Sequence, residues 1–410
     1  TGGPGPPGAP GTTTRRITLT MNRAELHELR VLAASRPALP VLLHAGRFAR
    51  PLTYVPRIGW LTADAATARS VLTDQKHFTV LDRGGVGRLW AQLLGDWVDD
   101  LFDGEGHRAL RAGTRELFGE STARALVDRT IGTRLAEART ELALGRPVDV
   151  AALGRAVVGR IVTELLRVPV TGTDDAAYER VFATARELAA LSVEAAGGGD
   201  LSEATVARGR GIVARLTGHV AEIWRTESPD HLIGRCREVG LDARQSAGMA
   251  ALVGVAATET AASAITRTVA LLHDTGEQHK LVRAPDRVPD AVREGLRVTA
   301  PAPVIGRTVR SDVRLAGRTL RAGDRITLLT YTASSLSGGF RIDRPADPAN
   351  RQLWFGAGRH HCLGSAIARA EIGRTLETLT AVGRPWRVVE RRCSRRVVIP
   401  SYDRLTVSLT

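Results

Sequence analysis

The sequence predicts a mainly α-helical fold with a small β portion near each end. Apolar residues recur at helical spacing through most of the first three quarters of the chain, and residues 242–272 contain no proline. Between residues 304 and 330 the pattern changes to short alternating runs separated by Gly317 and Gly323. The chain has 410 residues, is 43% hydrophobic and shows no internal linker. We therefore expect one domain over residues 15–410, preceded by a disordered Gly/Pro/Thr-rich terminus at residues 1–14.

The individual elements follow from apolar periodicity and from start and stop signals. Helices are predicted at Arg23–Ser35, from the cap Asp64 to Leu72, and at Gly106–Phe118, Ser121–Leu144, Val148–Leu166, Asp174–Ala196, Ser202–Glu227, Asp242–Leu272, Glu277–Val282, Pro289–Val298 and Ser365–Thr380. Strands are predicted as a hairpin at Leu52–Thr62, within Val304–Thr330, and at Trp386–Val389 and Val397–Val407. Four glycines between Val80 and Asp103 predict an irregular segment of the kind that forms lids or binding walls.

The composition limits the classes of function. The net charge of +14 is almost all arginine, because lysine occurs only at Lys76 and Lys280. The arginines are scattered, without a basic block interleaved with aromatics, so codon bias is a better explanation than nucleic-acid binding. Three cysteines do not make a disulfide framework, and neither a signal-peptide layout nor a run of about 18 apolar residues is present. We expect a cytoplasmic protein that binds neither nucleic acid nor membrane.

One cysteine, Cys362, lies in the glycine-punctuated loop Phe355–Gly364, directly before a predicted helix. A thiolate is a metal ligand, and a helix N-terminus favours it. Gly356 and Gly358 allow backbone conformations and close approaches that a Cβ would block, as a flat macrocycle against the chain requires. Cysteine thiolate is one of the few axial ligands of haem iron. Taken alone, the loop also fits an ordinary turn with a structural cysteine.

A zinc site at this loop is the weaker interpretation. His360, His361 and Cys362 are adjacent, so they cannot converge tetrahedrally on one ion, and no C-x-x-C pair accompanies them.

A second motif lies in the long predicted helix, where small residues surround Glu259 and Thr260. Small side chains leave a dent in the helix wall, a threonine hydroxyl can bond back to the preceding turn, and an adjacent acid can relay protons. Taken alone, the motif also fits a surface Glu-Thr pair on an alanine-rich helix.

Two charged pairs have helical spacing. Glu294 and Arg297 are three residues apart, and His107 and Arg111 are four apart, so each pair lies on one helix face. Each pair taken alone also fits a solvated surface.

Together these motifs resemble those of the cytochromes P-450 of the soluble, bacterial type. The loop has the family's Phe-Gly-x-Gly-x-His-x-Cys-x-Gly at every fixed position, and the other motifs occur in the family's order. Ala257 stands where the family usually has glycine. The resemblance implies the cytochrome P-450 fold, a triangular prism of helices around a buried haem b, with Cys362 as the iron ligand.

The resemblance also implies roles for other residues. Haem contacts are expected from His107, Arg111, Arg307, Phe355, Gly356, His360 and Gly364, and oxygen activation from Glu259 and Thr260. Glu294 and Arg297 are expected to form a structural pair that a third arginine joins. The residue at the position of that third arginine is Gly339 here, so we expect Arg341 or Arg344 to pair with Glu294 and Arg297 in its place.

A P-450 of this type is expected to insert one atom of O2 into a small hydrophobic substrate, in secondary-metabolite biosynthesis, with electrons from a ferredoxin and its reductase. Proximal arginines, for which Arg108, Arg359 and Arg369 are candidates, are expected to dock the donor. Substrate contacts are expected at Val253, Ala256, Ala302, Val304, Ile305 and Ile399. Two alternatives stay open: an enzyme that couples, desaturates or rearranges without oxygen insertion, and a haem-free helper protein.

Overall fold

A computed structural model describes residues 21–48, 51–82, 85–194, 200–335, 338–348 and 350–410. The described helices are α1 Arg23–Ser35, α2 Ala38–Ala45, α3 Ala65–Thr73, α4 Val86–Leu94, α5 Trp97–Asp103, α6 Glu105–Gly113, α7 Glu120–Ala143, α8 Val150–Leu166, α9 Asp175–Glu194, α10 Glu203–Thr217, α11 Val220–Ile223, α12 Leu232–Glu238, α13 Ala243–Thr275, α14 Gln278–Arg283, α15 Val288–Thr299, α16 Thr330–Ser335 and α17 Ser365–Thr380. Short 3-10 turns lie at Gly46–Phe48, Pro285–Arg287, Leu353–Phe355 and Gly358–His360. The disordered terminus expected at residues 1–14 lies outside the described residues.

The strands form three small sheets. They are β1 Thr53–Val55, β2 Gly59–Thr62, β3 Phe78–Thr79, β4 Val148–Asp149, β5 Ile305–Val309, β6 Val313–Leu315, β7 Arg318–Leu320, β8 Arg325–Leu328, β9 Trp386–Cys393 and β10 Tyr402–Leu409. The largest sheet has the order β1-β2-β8-β5-β3; its β2–β8 pair is parallel and its other pairs are antiparallel. The other sheets are β4-β10-β9 and the hairpin β6-β7. The predicted class, mainly α with a small β region, is confirmed.

Helix α13 is the central element of the main core. Its start is fixed by a capping box, in which Asp242 accepts a hydrogen bond from the Gln245 amide and Gln245 reaches back to Asp242. Its end is fixed by Gly276, whose φ of 78° is the left-handed conformation that glycine adopts readily. By length and composition α13 is apolar enough to cross a membrane, but 67% of that window is buried inside the protein. A buried core helix meets the same criteria, and the packing identifies α13 as one.

The prediction of an irregular segment at Val80–Asp103 is wrong, because α4 and α5 occupy most of it. Gly85 precedes α4, and Gly95, with a φ of 106°, separates α4 from α5, so these glycines mark helix ends. Gly87 lies in the first turn of α4, where a Cβ would come within 2.7 Å of the Leu81 side chain. Gly84 lies outside the described residues. Glycines at helix ends therefore explain the pattern that predicted an irregular segment.

Two other predicted helices differ in extent. The helix predicted at Gly106–Phe118 ends at Gly113, and the one predicted at Ser202–Glu227 is interrupted after Thr217, before the short α11. The strand predicted at Val397–Val407 begins only at Tyr402, and the helix predicted at Val148–Leu166 begins at Val150, after the short strand β4. The other predicted elements are present, and α1 and α17 have the predicted bounds.

Candidate haem-binding site

The Cys362 loop is held in a tight conformation by its own backbone. The Cys362 amide donates to the Phe355 carbonyl over 2.8 Å. Gly356 and Gly358 have φ values of 73° and 66°, which disfavour any residue with a side chain. A Cβ on Gly358 would come within 2.5 Å of the Leu72 carbonyl oxygen at the end of α3. These glycines therefore let the loop turn sharply and bring Cys362 to the start of α17.

Cys362 faces a cavity of about 380 Å³ between α13 and the start of α17. Its side chain is accessible through this cavity, although protein atoms surround the residue. Burial raises the pKa of the Cys362 thiol, whereas the Gly364 amide and the guanidinium groups of Arg111 and Arg369 act in the opposite direction. The thiol thus lines a largely apolar cavity and has the cations Arg111 and Arg369 near it.

One face of α13 forms part of the cavity wall. Met249 and Leu252 line it near the start of this face, and the small residues Val253, Ala256, Ala257, Thr260 and Ala261 follow. The Thr260 hydroxyl donates to the Ala256 carbonyl one turn earlier, over 2.7 Å. The back-bonded threonine expected from the sequence is therefore present, and it faces the same cavity as Cys362.

Glu259 points away from this cavity. Its carboxylate pairs with Arg186 of α9 at 3.1 Å, and only 7% of the residue is exposed. Burial raises the pKa of Glu259 to about 7, although Arg186 acts in the opposite direction. Glu259 and Thr260 both line a second cavity of about 170 Å³, in which α4 and α9 also take part. The acid can therefore exchange protons near neutral pH and is next in sequence to the hydroxyl that faces Cys362.

One end of the main cavity is rich in nitrogen donors. Four of the residues predicted to contact the haem line it: His107, Arg111, Arg307 and His360. Arg111 donates to the His361 carbonyl over 2.6 Å. Among the described residues, Arg307 donates only to the neighbouring Gly306 carbonyl, over 2.7 Å.

Burial shapes the charges at this end. It lowers the pKa of Arg307 to about 10, with the carboxylate of Asp103 acting in the opposite direction. Burial, together with the positive charges of His360, Arg359 and Arg111, also lowers the pKa of His107 to about 4. Arg111 and Arg307 are partly buried, and Arg307, with a pKa of about 10, stays charged at neutral pH, so these guanidinium groups are suited to carboxylates of a bound group.

Asp103, which sequence reasoning missed, organises this cationic end. It accepts hydrogen bonds from Thr79 over 2.5 Å and from Arg310 over 2.8 Å, and it lies 3.4 Å from His360 Nε2. Burial favours a raised pKa, but the bonds from His360 and Thr79 and the charge of Arg310 prevail and hold the pKa of Asp103 at about 2. The available signal was its position in the sequence, four residues before His107.

Asp103 also corrects the expectation that Arg359 docks an electron donor. Arg359 Nη1 donates to the Asp103 carbonyl over 2.7 Å, and only 12% of its side chain is exposed. Arg108 and Arg369 remain candidates; their side chains are 62% and 31% exposed and pair with Glu105 and Glu120.

Glu371 is a second site residue that sequence reasoning missed. It lies on the face of α17 that carries Gly364, Ile367 and Ala368, and all four line the main cavity. Within the described part of the chain, its carboxyl group has neither an ion pair nor a hydrogen bond. The residue is 2% exposed, and burial raises the pKa of Glu371 to about 8. The spacing of three and four residues along α17 was the signal that pointed to it.

The predicted substrate contacts are only partly brought together. Val253 and Ala256 line the main cavity, and Ile399 lines the second one. Ala302, Val304 and Ile305 line neither cavity, and Val304 is 36% exposed. The main cavity is also lined by Val80, Val86, Leu101 and Phe102, which belong to the Val80–Asp103 segment that the sequence predicts as a lid or binding wall.

Glu294 and Arg297 form a buried ion pair, with Nε–Oε2 and Nη2–Oε1 distances of 2.8 and 2.7 Å. Arg344 Nε lies 3.3 Å from Glu294 Oε1. Arg344 is therefore the third arginine of this group, which cannot come from position 339 because that residue is glycine. Arg341 contributes only its backbone amide to Glu294, and its side chain pairs with Asp343.

The residues present fit an iron porphyrin. One largely apolar cavity is lined by the Cys362 thiol, by the small residues of α13 and by the nitrogen donors of His107, Arg111, Arg307 and His360. Within the described residues, no group of three or more His, Cys, Asp or Glu side chains is placed to hold a metal ion, so a multi-ligand zinc site at this loop has no support.

Comparisons with known proteins agree with this arrangement. Residues 288–380 match the family model "Cytochrome P450". The chain is 34% identical over 134 residues to "Putative cytochrome P450 YjiB" of Bacillus subtilis, covering 31% of this chain and 33% of that protein. It is 34% identical over 169 residues to "20-oxo-5-O-mycaminosyltylactone 23-monooxygenase" of Streptomyces fradiae, covering 38% and 40%. The chain thus spans less than half the length of these curated relatives.

The fold is matched over far more of the chain. The crystal structure of CalO2 superposes with a TM-score of 0.75, covering 92% of this chain and 98% of that one at 23% sequence identity.

Proposed function

This chain belongs to the cytochrome P450 family, and on that premise we propose that it is a haem-thiolate monooxygenase. The proposed reaction inserts one atom of O2 into a small hydrophobic molecule. The observation that carries the proposal is that the thiol of Cys362 and the back-bonded Thr260 line one and the same largely apolar cavity.

Haem b, bound through the Cys362 thiolate, would supply the oxygen chemistry. The protein supplies the rest. Arg111, Arg307 and the two histidines of the cationic end would hold the propionates. Arg307 is the best placed of these because its guanidinium, among the described residues, donates only to the Gly306 carbonyl.

Proton supply is the second task of the chain. The Thr260 hydroxyl lies at the cavity wall, and the Glu259 carboxyl has a pKa of about 7. An acid with this pKa gives and regains a proton readily at neutral pH. We assign Glu259 to carry a proton from the side of Arg186 and Thr260 to hold it at the cavity.

The substrate is proposed to be a hydrophobic molecule, because apolar side chains form most of the wall of both cavities. Electrons are proposed to come from a ferredoxin and its reductase. We further infer a cytoplasmic protein and a role in secondary-metabolite biosynthesis; support for this role comes from the partial likeness to the Streptomyces fradiae 23-monooxygenase.

The absorption spectrum of the purified protein, reduced and treated with carbon monoxide, tests the proposal. We expect a thiolate-type haem band that Cys362→Ser abolishes. Cys393→Ser is the matched control, because Cys393 is a partly buried free cysteine outside the cavity, and it should leave the band unchanged. A protein that stays colourless with added hemin, or a band that survives Cys362→Ser, would refute the proposal.

A further inference from the structure

The turn between β9 and β10 forms part of the wall of the second cavity. Val398 and Ile399 in this turn line that cavity, together with Thr260 on α13. Pro400 follows them and is buried. The position of this turn therefore sets the shape of the space next to the proposed reaction site.

The Pro400 carbonyl is held by two side chains of α13. Ser263 Oγ donates to it over 2.6 Å, and Arg267 Nη1 lies 3.4 Å from it. Arg267 Nη1 also lies 3.3 Å from Ser263 Oγ, so the two donors support each other. Ser263 follows Thr260 by three residues, which places the clamp one helical turn from the hydroxyl at the cavity wall.

The guanidinium of Arg267 is fully buried and is held from several sides. It forms an ion pair with Glu28 of α1, also fully buried, and donates to the Thr299 carbonyl over 2.7 Å. Glu28 in turn pairs with His27 at 3.0 Å, and His27 Nε2 lies 2.7 Å from the Tyr402 hydroxyl. Helix α1, the end of α15 and the turn between β9 and β10 thus all contact the guanidinium of Arg267.

A buried ion pair is a poor source of stability, because the desolvation of two charges offsets most of their attraction. What such a pair provides is a fixed geometry, because every donor and acceptor has one partner arrangement. In this protein the ion pair fixes the position of Arg267, and Arg267 and Ser263 in turn hold the Pro400 carbonyl, which follows Ile399 of the cavity wall.

We propose that Ser263 and Arg267 are positioning residues that hold the Val398–Ile399 wall through the Pro400 carbonyl. By doing so they set the fit of bulky hydrophobic ligands in the second cavity. This inference rests on the proposed haem-dependent function.

The test compares two haem-ligating probes that differ in bulk. Imidazole needs only the iron, whereas clotrimazole, an imidazole with three aromatic rings, also needs the space beside it. Dissociation constants are measured from the shift of the haem absorption band in the holoprotein. For Ser263→Ala we expect clotrimazole to bind about fivefold more weakly, the change that corresponds to one ordinary hydrogen bond. Imidazole should bind as before.

Ser246→Ala is the matched control, since Ser246 is a buried serine of the same helix whose hydroxyl has no hydrogen-bond partner among the described residues. It should leave both constants unchanged. The double variant Glu28→Gln/Arg267→Gln removes both buried charges together and should weaken clotrimazole selectively, as Ser263→Ala does.

Two outcomes separate this inference from the proposed function. If the unsubstituted protein shows no haem band with either probe, the proposed function is refuted and this inference with it. If the band is present but Ser263→Ala leaves the ratio of the two constants unchanged or lowers it, only the inference is overturned.

Discussion

Replacing Glu371 with glutamine is expected to remove a large pH-dependent loss of stability. The pKa of this carboxyl rises from its ordinary 4.5 to about 8 on burial in the cavity wall. Between these two values the folded protein keeps a proton that the unfolded chain has released. The free energy of unfolding therefore falls by about 1.4 kcal/mol for each pH unit across this range.

The full effect is about 5 kcal/mol at pH 8, taken over the range from 4.5 to about 8. The contribution of Glu371 is favourable below pH 4.5, declines as the pH rises, and is lost above its folded-state pKa. Glutamine has a similar shape but no titrating proton. The variant should match the parent protein near pH 4.5 and be more stable than it near pH 8.

Urea unfolding followed by circular dichroism, from about pH 5 to about pH 8, measures this difference. Glu377→Gln is the matched control, because Glu377 lies on the same helix with 47% of its side chain exposed and paired with Arg374. The control should keep the slope of the parent protein. An equal dependence of stability on pH in the parent and in Glu371→Gln would refute the reasoning.

Three further outcomes are expected. Thr260→Ala should keep consuming oxygen but yield less product and more peroxide, measured by oxygen electrode and peroxide assay, because the hydroxyl at the cavity wall is lost. The oxygen-consumption rate of the parent protein is expected to fall as the pH rises through about 7, where the Glu259 carboxyl loses the proton it donates, and Glu259→Gln should abolish this fall. Arg344→Ala should lower the free energy of unfolding by about 1–2 kcal/mol, measured in urea, because buried Glu294 loses a partner, whereas Arg341→Ala should change it little.

The opposite results are equally specific. Unchanged coupling in Thr260→Ala would remove that hydroxyl from the mechanism, and a persistent pH dependence in Glu259→Gln would assign the titration to another group. Equal destabilisation by Arg344→Ala and Arg341→Ala would show that Arg344 is not the third arginine that stabilises the pair of Glu294 and Arg297.

The sequence predicts an element well where its determinants are local. The bounds of α1 follow from the Asn22–Glu25 capping box, and the Cys362 loop follows from its glycines. The segment Val80–Asp103 was mispredicted because a glycine at a helix end and a glycine within a loop look alike in one sequence.

The site residues that sequence reasoning missed depend on tertiary packing. The carboxyl of Asp103 accepts hydrogen bonds from Thr79 and Arg310 only because the fold brings these residues to it from distant positions in the sequence. Glu371 has its unusual pKa only because the folded chain removes water from it. For the same reason the sequence left Arg341 and Arg344 as equal candidates, and only the fold distinguishes them.

The parallel pairing of β2 with β8 has a consequence for synthesis of the protein. Residues Trp60–Thr62 find their partners at Ile326–Leu328, on the order of 250 residues later in the chain. At ordinary translation speeds, the first hairpin leaves the ribosome tens of seconds before the strand that completes its sheet. During that interval its edge is open to pairing with other nascent chains, so we expect the yield of soluble protein to depend on chaperones and on slow, cool expression.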